Sequence, residues 1–461
     1  MATNEAAITR PSEAFSEIDF GDERLTKRLV ETLEQMTKSP NKSILGATND
    51  RNSAKGFYRL LNNAKFSLDK LTEESRKTTI KKILEHKTVL AIQDTTDINM
   101  NGHKKTEGLG YSSEHVLGIK VHSCIVVTPE GLPLGLLEQS YDTRAEAKSK
   151  LTRAEKVVRP IEEKESYRWL EMLRDSTKDI PDSVNVITIC DREGDFYELY
   201  AAAMEIGKDF VIRVIHDRKT FESEKVIEKI RNTEACGEVT VTIPRNTRNN
   251  RPAREAVMEV ACCSVNVLKP DNINSENVQD SIQMNIVRIT EACAKNVKEK
   301  IEWILATSLP VTNADDAIKI VEYYVQRWKI ERFHFVLKSG CKIEGIQQRS
   351  YEKMKAIIFM KSVIAMFIMT ITYIGRILPD IPCSVFFDDD EWKAMYKIVN
   401  KTKYAPDEPY SLGDAVKYLG TLGGYKRAPS DGPPGLKSIW NGLCELYCVL
   451  EYVNYLNCEP S

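Results

Sequence analysis

The chain has 461 residues, with 65 Lys and Arg against 67 Asp and Glu, so its net charge is −2 at pH 7. Its 42 % hydrophobic and 29 % charged residues are ordinary for a water-soluble globular protein, and the length predicts two to four domains. The near-neutral average excludes a wholly basic nucleic-acid binder but leaves room for a local basic surface.

In chain order, Met-Ala-Thr-Asn-Glu at the start has no charged-then-apolar leader pattern. Residues 13–68 read as a self-contained helical unit. Leu25, Leu29 and Val30 recur at helical spacing among Arg24, Lys27 and Arg28. Ser39-Pro40 breaks that helix, and helical character resumes at 50–61. Basic residues outnumber acidic ones from Arg24 to Arg59, which suits docking on a DNA backbone; a solvated basic face is the plainer alternative.

From about residue 83 the pattern turns to strands. Segments 88–93, 121–127 and 132–137 read as three consecutive antiparallel strands, the first ending at Asp94. An amphipathic helix follows at 163–173. A strand at 184–190 again ends on an aspartate, Asp191, with Glu193 and Asp195 close behind. A helix at 196–206 and a strand at 209–215 complete an α/β unit. Residues 217–300 break the rhythm with β-type segments, such as 238–243, and a basic loop at 244–254. They read as a β-rich insertion before the strand at 301–307.

The stretch 321–340, Val-Glu-Tyr-Tyr-Val-Gln-Arg-Trp-Lys-Ile-Glu-Arg-Phe-His-Phe-Val-Leu-Lys-Ser-Gly, predicts one helix that Ala314-Asp-Asp can start and Gly340 stops. At about 100° per residue, Tyr324, Arg327, Glu331 and Lys338 fall within roughly 60° of one face. Residues 351–378 are apolar and helical. Their uncharged run between Lys361 and Arg376 is too short to span a bilayer and predicts a core helix, not a membrane contact. Residues 379–391, with Asp388-Asp-Asp-Glu391, read as a solvated linker. Helices at about 411–456 are apolar enough to pack on something, a partner subunit included. Eleven scattered Cys without a Cys-x-x-Cys pair predict reduced, intracellular thiols, and six dispersed His indicate no zinc site.

Two strand-end aspartates and a helix glutamate suit two divalent cations acting on a phosphodiester. Each aspartate alone is more simply a cap or turn residue, and the charged helix stripe alone is more simply a solvated face.

At Tyr324-x2-Arg327-x3-Glu331-x6-Lys338 the chain resembles the IS4 family of transposases, most closely its Tn5 branch. Ala-Ile-Gln-Asp94-Thr-Thr and Ile-Cys-Asp191-Arg-Glu-Gly-Asp resemble the first two carboxylate motifs of the Asp-Asp-Glu triad. Gly21-Asp-Glu-Arg-Leu-Thr-Lys-Arg, Gly56-Phe-Tyr-Arg59, Asn250-Arg-Pro-Ala-Arg254, Trp303-Ile-Leu-Ala-Thr and Leu422-Gly-Gly-Tyr extend the likeness, in order, over nearly the whole chain. The resemblance implies an α/β, ribonuclease-H-like core at 69–378 with a β-rich insertion at about 217–300. It implies a helical transposon-end DNA-binding domain at 1–68 and a helical dimerisation region at 379–461. It further implies cut-and-paste DNA transposition: cleavage at transposon ends, a hairpin intermediate, and strand transfer of 3′ ends into target DNA.

The roles implied follow residue by residue. Asp94, Asp191 and Glu331 ligate two Mg2+ ions, with Mn2+ able to substitute. Tyr324, Arg327 and Lys338 hold phosphates. Arg28, Arg59, Arg213, Arg254, Trp303, His334 and Arg349 contact DNA, Trp303 by stacking on a flipped base. For Trp303 a buried strand residue is the plainer alternative, and for His334 a packing role. The partners implied are double-stranded DNA, as inverted-repeat ends and target, and a second copy in a homodimeric synaptic complex. The location implied is the bacterial cytoplasm, on the nucleoid when DNA-bound. Phe335 and Leu25 stand where the family carries a lysine and an arginine, and the segment after Gly340 is longer than the family's. The alternatives are a DNA-binding protein without catalysis and a metal-dependent nuclease that does not join ends.

Overall fold

The computed structural model describes residues 9–48, 50–146, 152, 155, 159–243, 254–273, 278–292, 301–428 and 432–457. The chain's first residues, most of the basic loop at 244–254, and residues 250–253 of the Asn-Arg-Pro-Ala-Arg motif lie outside them. The chain forms two compact units: Met1–His86 with Thr95–Ser149 and Lys329–Ser461, and Lys87–Asp94 with Lys150–Trp328. Strand β1 (Thr88–Asn99) belongs to both, because the division falls directly after Asp94.

In the first unit, α1 (Glu23–Lys38), α2 (Ile44–Ala47) and α3 (Arg51–Leu61) begin on Asp22, Ser43 and Asp50. The side chain of each accepts a hydrogen bond from a backbone N–H of the first turn. Arg28 of α1 lies across α3 at Gly56, where a Cβ would stand 2.9 Å from the guanidinium carbon. A further helix, α4 (Leu68–Ile83), follows. Strands β2 (Tyr111–Ser113), β3 (Val116–Val127) and β4 (Pro133–Asp142) are antiparallel, in the order β2-β3-β1 with β4 also pairing β3.

The second unit continues from β1 to β5 (Asn185–Cys190) and β6 (Asp209–Arg213), all parallel. Helices α5 (Tyr167–Thr177) and α6 (Tyr197–Glu205) flank these strands. The insertion contributes α7 (Val226–Asn232) and three antiparallel strands, β7 (Gly237–Ile243), β8 (Arg254–Leu268) and β9 (Ser281–Glu291). Together with β10 (Glu302–Thr307) they continue the order β6-β10-β9-β8-β7. The insertion thus widens the sheet instead of forming a separate body. Trp169, Tyr197, Tyr200, Phe210, Ile212, Ile286 and Ile304 build this unit's core.

The predicted helix over 321–340 is three pieces. Asn313 caps α8 (Ala314–Val325), its side chain accepting from the Asp316 N–H. At the end of α8 the N–H groups of Gln326 and Arg327 bond three residues back, to Tyr323 and Tyr324, a 3₁₀ tightening. Helix α9 (Trp328–Phe335) then runs into a π-helical turn, Val336–Gly340. A constant 100° step therefore does not hold along the stretch, and the single 60° stripe is corrected. Gly340 does end the segment, but through close packing: a Cβ there would sit 3.0 Å from the Trp440 ring.

Helix α10 (Tyr351–Ile377) is long and apolar enough to cross a bilayer, yet 89 % of that apolar stretch is buried, as a core helix requires. Its Lys361 is buried too, with Nζ donating to the carbonyls of Pro40 (2.9 Å) and Cys341 (2.9 Å). Residues 379–391 are not simply a solvated linker. Asp388 and Glu391 form a capping box at the start of α11 (Asp389–Asn400), and Glu391, 4 % exposed, accepts both terminal nitrogens of Arg10 at 3.0 and 2.6 Å. Helices α12 (Leu412–Leu422) and α13 (Leu436–Asn457) follow. They meet at backbone distance: a Cβ on Gly442 would lie 2.0 Å from the Leu419 carbonyl oxygen, and one on Gly423 1.9 Å from that of Ser438.

Candidate active site

The second unit holds Asp94, Asp191, Arg213, Trp303, Tyr324 and Arg327 of the predicted site. Strands β1 and β5 pair in parallel with Ile92 opposite Ile189, so continuing that register brings Asp94 alongside Asp191. Neighbouring strands lie about 4.8 Å apart. Asp191 stands directly after β5, whereas β1 runs on past Asp94 to Asn99; the expectation that this strand ends at Asp94 is corrected. Both aspartates are half-buried. Asp191 also caps the short turn Arg192–Gly194, accepting from the Glu193 N–H at 2.8 Å. Gly194 allows that turn to fold back on the strand, since a Cβ there would meet the Cys190 Cβ at 2.5 Å.

Asp195 does separate work. It is 2 % exposed and pairs with Arg218, and it accepts from the Tyr200 hydroxyl at 2.6 Å and the His216 N–H at 2.8 Å. Its oxygens are committed to holding the chain after β6.

Around Asp191 stands a cationic and aromatic cluster. The 3₁₀ turn after α8 nearly eclipses Tyr324 and Arg327, and the guanidinium lies 5.8 Å from the phenol centroid. Tyr324 and Arg327 are 3 % and 9 % exposed, so this part of the stripe is not a solvated face. Arg213, at the end of β6, hydrogen-bonds the Tyr324 side chain. Burial raises the Tyr324 phenol pKa, opposed by Arg327 and Arg213 and reinforced by Asp191. Burial likewise lowers that of Arg213, with Arg192 and Arg327 as nearby like charges. Trp303 of β10 is 9 % exposed. Its ring packs edge-on to Tyr324 at 5.6 Å and to Trp328 at 6.0 Å. Arg192 and Trp328 are the members that sequence reasoning missed. Their signals were direct: one follows Asp191 and the other sits inside the Tyr-Arg-Glu-Lys stretch.

Most of the remaining predicted residues belong to the first unit. Glu331, exposed, and Lys338, half-buried, belong to the first unit. His334, read as either a DNA contact or a packing residue, is 7 % exposed; burial and Lys338 push its imidazole pKa down to about 3. Phe335 packs on Trp440 with ring centroids 5.4 Å apart, which gives an aromatic at that position a structural reason. Arg254 opens β8 and forms an ion pair with Glu291, so its guanidinium is held within the sheet. Arg28 lies 3.2 Å from Glu31, while Arg59 and Arg349 are exposed.

Carboxylate oxygens are hard ligands of the kind a Mg2+-type cation takes, and Asp94 and Asp191 present them side by side, so these residues fit such an ion. Among the described residues, no three His, Cys, Asp or Glu side chains converge closely enough to hold a metal.

Residues 11–66 match a transposase DNA-binding model, and residues 363–459 the transposase Tn5 dimerisation domain. Residues 85–368, well over half the chain, match the transposase DDE domain. The chain belongs to the DDE transposases. The three matches together point to the Tn5 and IS4-like branch, and the mixed sheet with its helical ends has the ribonuclease-H-like architecture of the family. This transposase is therefore a DNA-cleaving and transesterifying enzyme that depends on a divalent metal, binds DNA and forms homodimers. Among solved structures it is similar to the piggyBac transposase in a synaptic complex with hairpin DNA. The identity is 10 %, over 95 % of this chain and 77 % of that one, and the TM-score is 0.38.

Proposed function

We propose that this transposase acts by cut-and-paste, through a hairpin intermediate, on inverted-repeat ends that its N-terminal helical domain recognises. The observation that carries the reading is the in-register pair Asp94 and Asp191 beside the Arg213, Tyr324 and Arg327 cluster. The domain limits we assign are 1–68 for end binding, 69–378 for catalysis and 379–461 for dimerisation.

Asp94, Asp191 and Glu331 would hold two Mg2+ ions, or Mn2+ in their place, which supply charge stabilisation to the attacking and leaving oxygens when bound. The chain's own groups position the substrate. Arg213, Arg327 and the Tyr324 hydroxyl hold non-bridging phosphate oxygens at the scissile bond, and Lys338 holds a further phosphate. Each step exchanges one P–O bond for another. Water first displaces the 3′ oxygen of the element's end strand, which leaves as a hydroxyl. That hydroxyl attacks the opposite strand and releases the flanking DNA as a sealed hairpin forms on the element. A second water reopens the hairpin, and the regenerated 3′ hydroxyl attacks target DNA.

Because Trp303 packs between Tyr324 and Trp328, the aromatic trio, more than Trp303 alone, is the platform for a base flipped out in the hairpin. Arg28 and Arg59, flanking the α1–α3 contact, are the end-binding cations. The buried His334 and the paired Arg254 are assigned structural roles in the free protein. The site of action is the bacterial cytoplasm, on nucleoid DNA.

The test incubates purified protein, Mg2+, a duplex carrying the flanking inverted repeat, and a target plasmid. Hairpin-capped ends followed by joined 3′ ends are expected. Cut ends that never join would favour a nuclease, and intact DNA retained in a complex would favour a non-catalytic binder.

A further inference from the structure

Between the loop after β1 and the segment that precedes α10, the first unit holds an open cleft of about 580 Å³. Its lining includes Tyr58 of α3, Lys104, Lys105, Gln347, Gln348 and Arg349. The two loops are joined into one platform by backbone and side-chain bonds. The Thr106 hydroxyl donates to the Gln348 carbonyl at 2.7 Å, the Glu107 N–H to that of Arg349 at 2.8 Å, and the Tyr351 N–H to that of Glu107 at 3.0 Å. Lys353 Nζ, one turn into α10, donates to the Asn62 side chain at the end of α3, so the DNA-binding helices are anchored to the same platform.

The charge of this cleft is one-sided. Lys104, Lys105 and Arg349 are all exposed, and none has an ion-pair partner among the described residues. Lys38 and Lys120, by contrast, are paired with Glu34 and Asp97. Among the described residues, no acidic side chain lines the cleft. Of the acids nearby in sequence, Glu107 is exposed two residues after Lys105 but does not line the cleft, and Glu344 turns its carboxylate to the Asn99 N–H at 3.0 Å. Three cations without an ion-pair partner among the described residues, a phenol and three side-chain amides, Asn101, Gln347 and Gln348, on one hydrogen-bonded platform match the alternating charge and hydrogen-bond acceptors of a nucleic-acid backbone.

We propose that this cleft is a duplex-DNA backbone site, with Lys104 and Lys105 as its principal cations, that prolongs the footprint of the N-terminal helices onto the catalytic domain. It lies outside residues 11–66, the span matched by the DNA-binding model, and so adds phosphate contacts that position the duplex without reading its sequence. The proposal rests on the DNA-binding reading above.

The test uses the full chain carrying K104A together with K105A, and measures duplex affinity by fluorescence anisotropy across a salt series. An end-sequence duplex and a scrambled duplex of equal length are compared. Affinity for both is expected to fall at least about tenfold at low salt, and the slope of log K against log salt to shrink by about 2, one counterion for each lysine lost. K104R with K105R is expected to restore both, and an unchanged melting temperature shows that the double alanine variant folds. Wild-type affinity and slope in the alanine variant would overturn the proposal while leaving DNA binding intact. A wild-type protein that binds neither duplex would overturn the underlying reading itself. Loss confined to the end-sequence duplex would also overturn it, because it would make the cleft a sequence reader.

Discussion

His334 shows how far burial alone can change a residue's work. Held inside α9 with Lys338 nearby, its imidazole stays neutral down to about pH 3, whereas in the unfolded chain it protonates near 6.5. Between those values the unfolded state binds the extra proton, so stability present above pH 6.5 is lost as pH falls toward 3, by about 1.4 kcal/mol per unit. Urea midpoints at pH 7 and pH 5 check this: wild type is expected to lose more stability on acidification than His334→Gln. Equal losses would show that the imidazole is not held neutral. Asp191 and Asp195 make the complementary point. They share one loop, yet Asp195 is spent on Arg218, Tyr200 and backbone N–H groups, which leaves Asp191 as the aspartate beside Asp94.

At the scale of elements, the segment 314–340 derives its geometry from two departures from α-helical regularity. The 3₁₀ turn stacks Arg327 on Tyr324, and the π turn brings Gly340 against Trp440. Gly340→Ala places a methyl 3.0 Å from the indole and is expected to cost about 1–3 kcal/mol in denaturant melts. Trp440→Leu in the same background should recover part of that loss; an unchanged melt for Gly340→Ala would contradict the close packing.

The strands carrying Asp94 and Asp191 were legible because β-branched runs bounded by polar turns leave few other readings. So was the start of α8, from Asn313 and the acids of its first turn. The helical breaks were not legible. Periodicity assumes a constant turn, and nothing in Val-Gln-Arg-Trp or Phe-Val-Leu-Lys competes locally with an α-helix; tertiary packing decides. In the run Asp388 to Glu391 the three aspartates are exposed, as a solvated run requires, but Glu391 is buried, because its counter-ion, Arg10, is almost the whole chain away.

On the scale of the whole molecule, the ends of the chain are tied together: Arg10 reaches Glu391 and, at 3.4 Å, the Tyr447 hydroxyl, while Lys361 anchors α10 to the loop after α1. Beyond that tie, the last turns of α13 expose Tyr452 at 62 %, Tyr455 at 76 % and Leu456 at 61 %, inside the span that matches the Tn5 dimerisation domain. An apolar helix end of this kind is poorly accounted for in a monomer and well suited to a second copy. Replacing Tyr455 and Leu456 with Lys is expected to weaken self-association at least about tenfold in sedimentation equilibrium. Folding should be unaffected, because neither side chain is buried. Wild-type association by that variant would place the dimer contact elsewhere.

We propose that Asp94, Asp191 and Glu331 act as one metal-dependent phosphodiester site served by Arg213, Tyr324 and Arg327. The most direct measurement is cleavage of an end-containing duplex by Glu331→Ala across a Mg2+ titration, with DNA binding followed in the same samples. Binding at the wild-type level and no cleavage at any Mg2+ concentration are expected. Mg2+-dependent cleavage retained by that variant would contradict it.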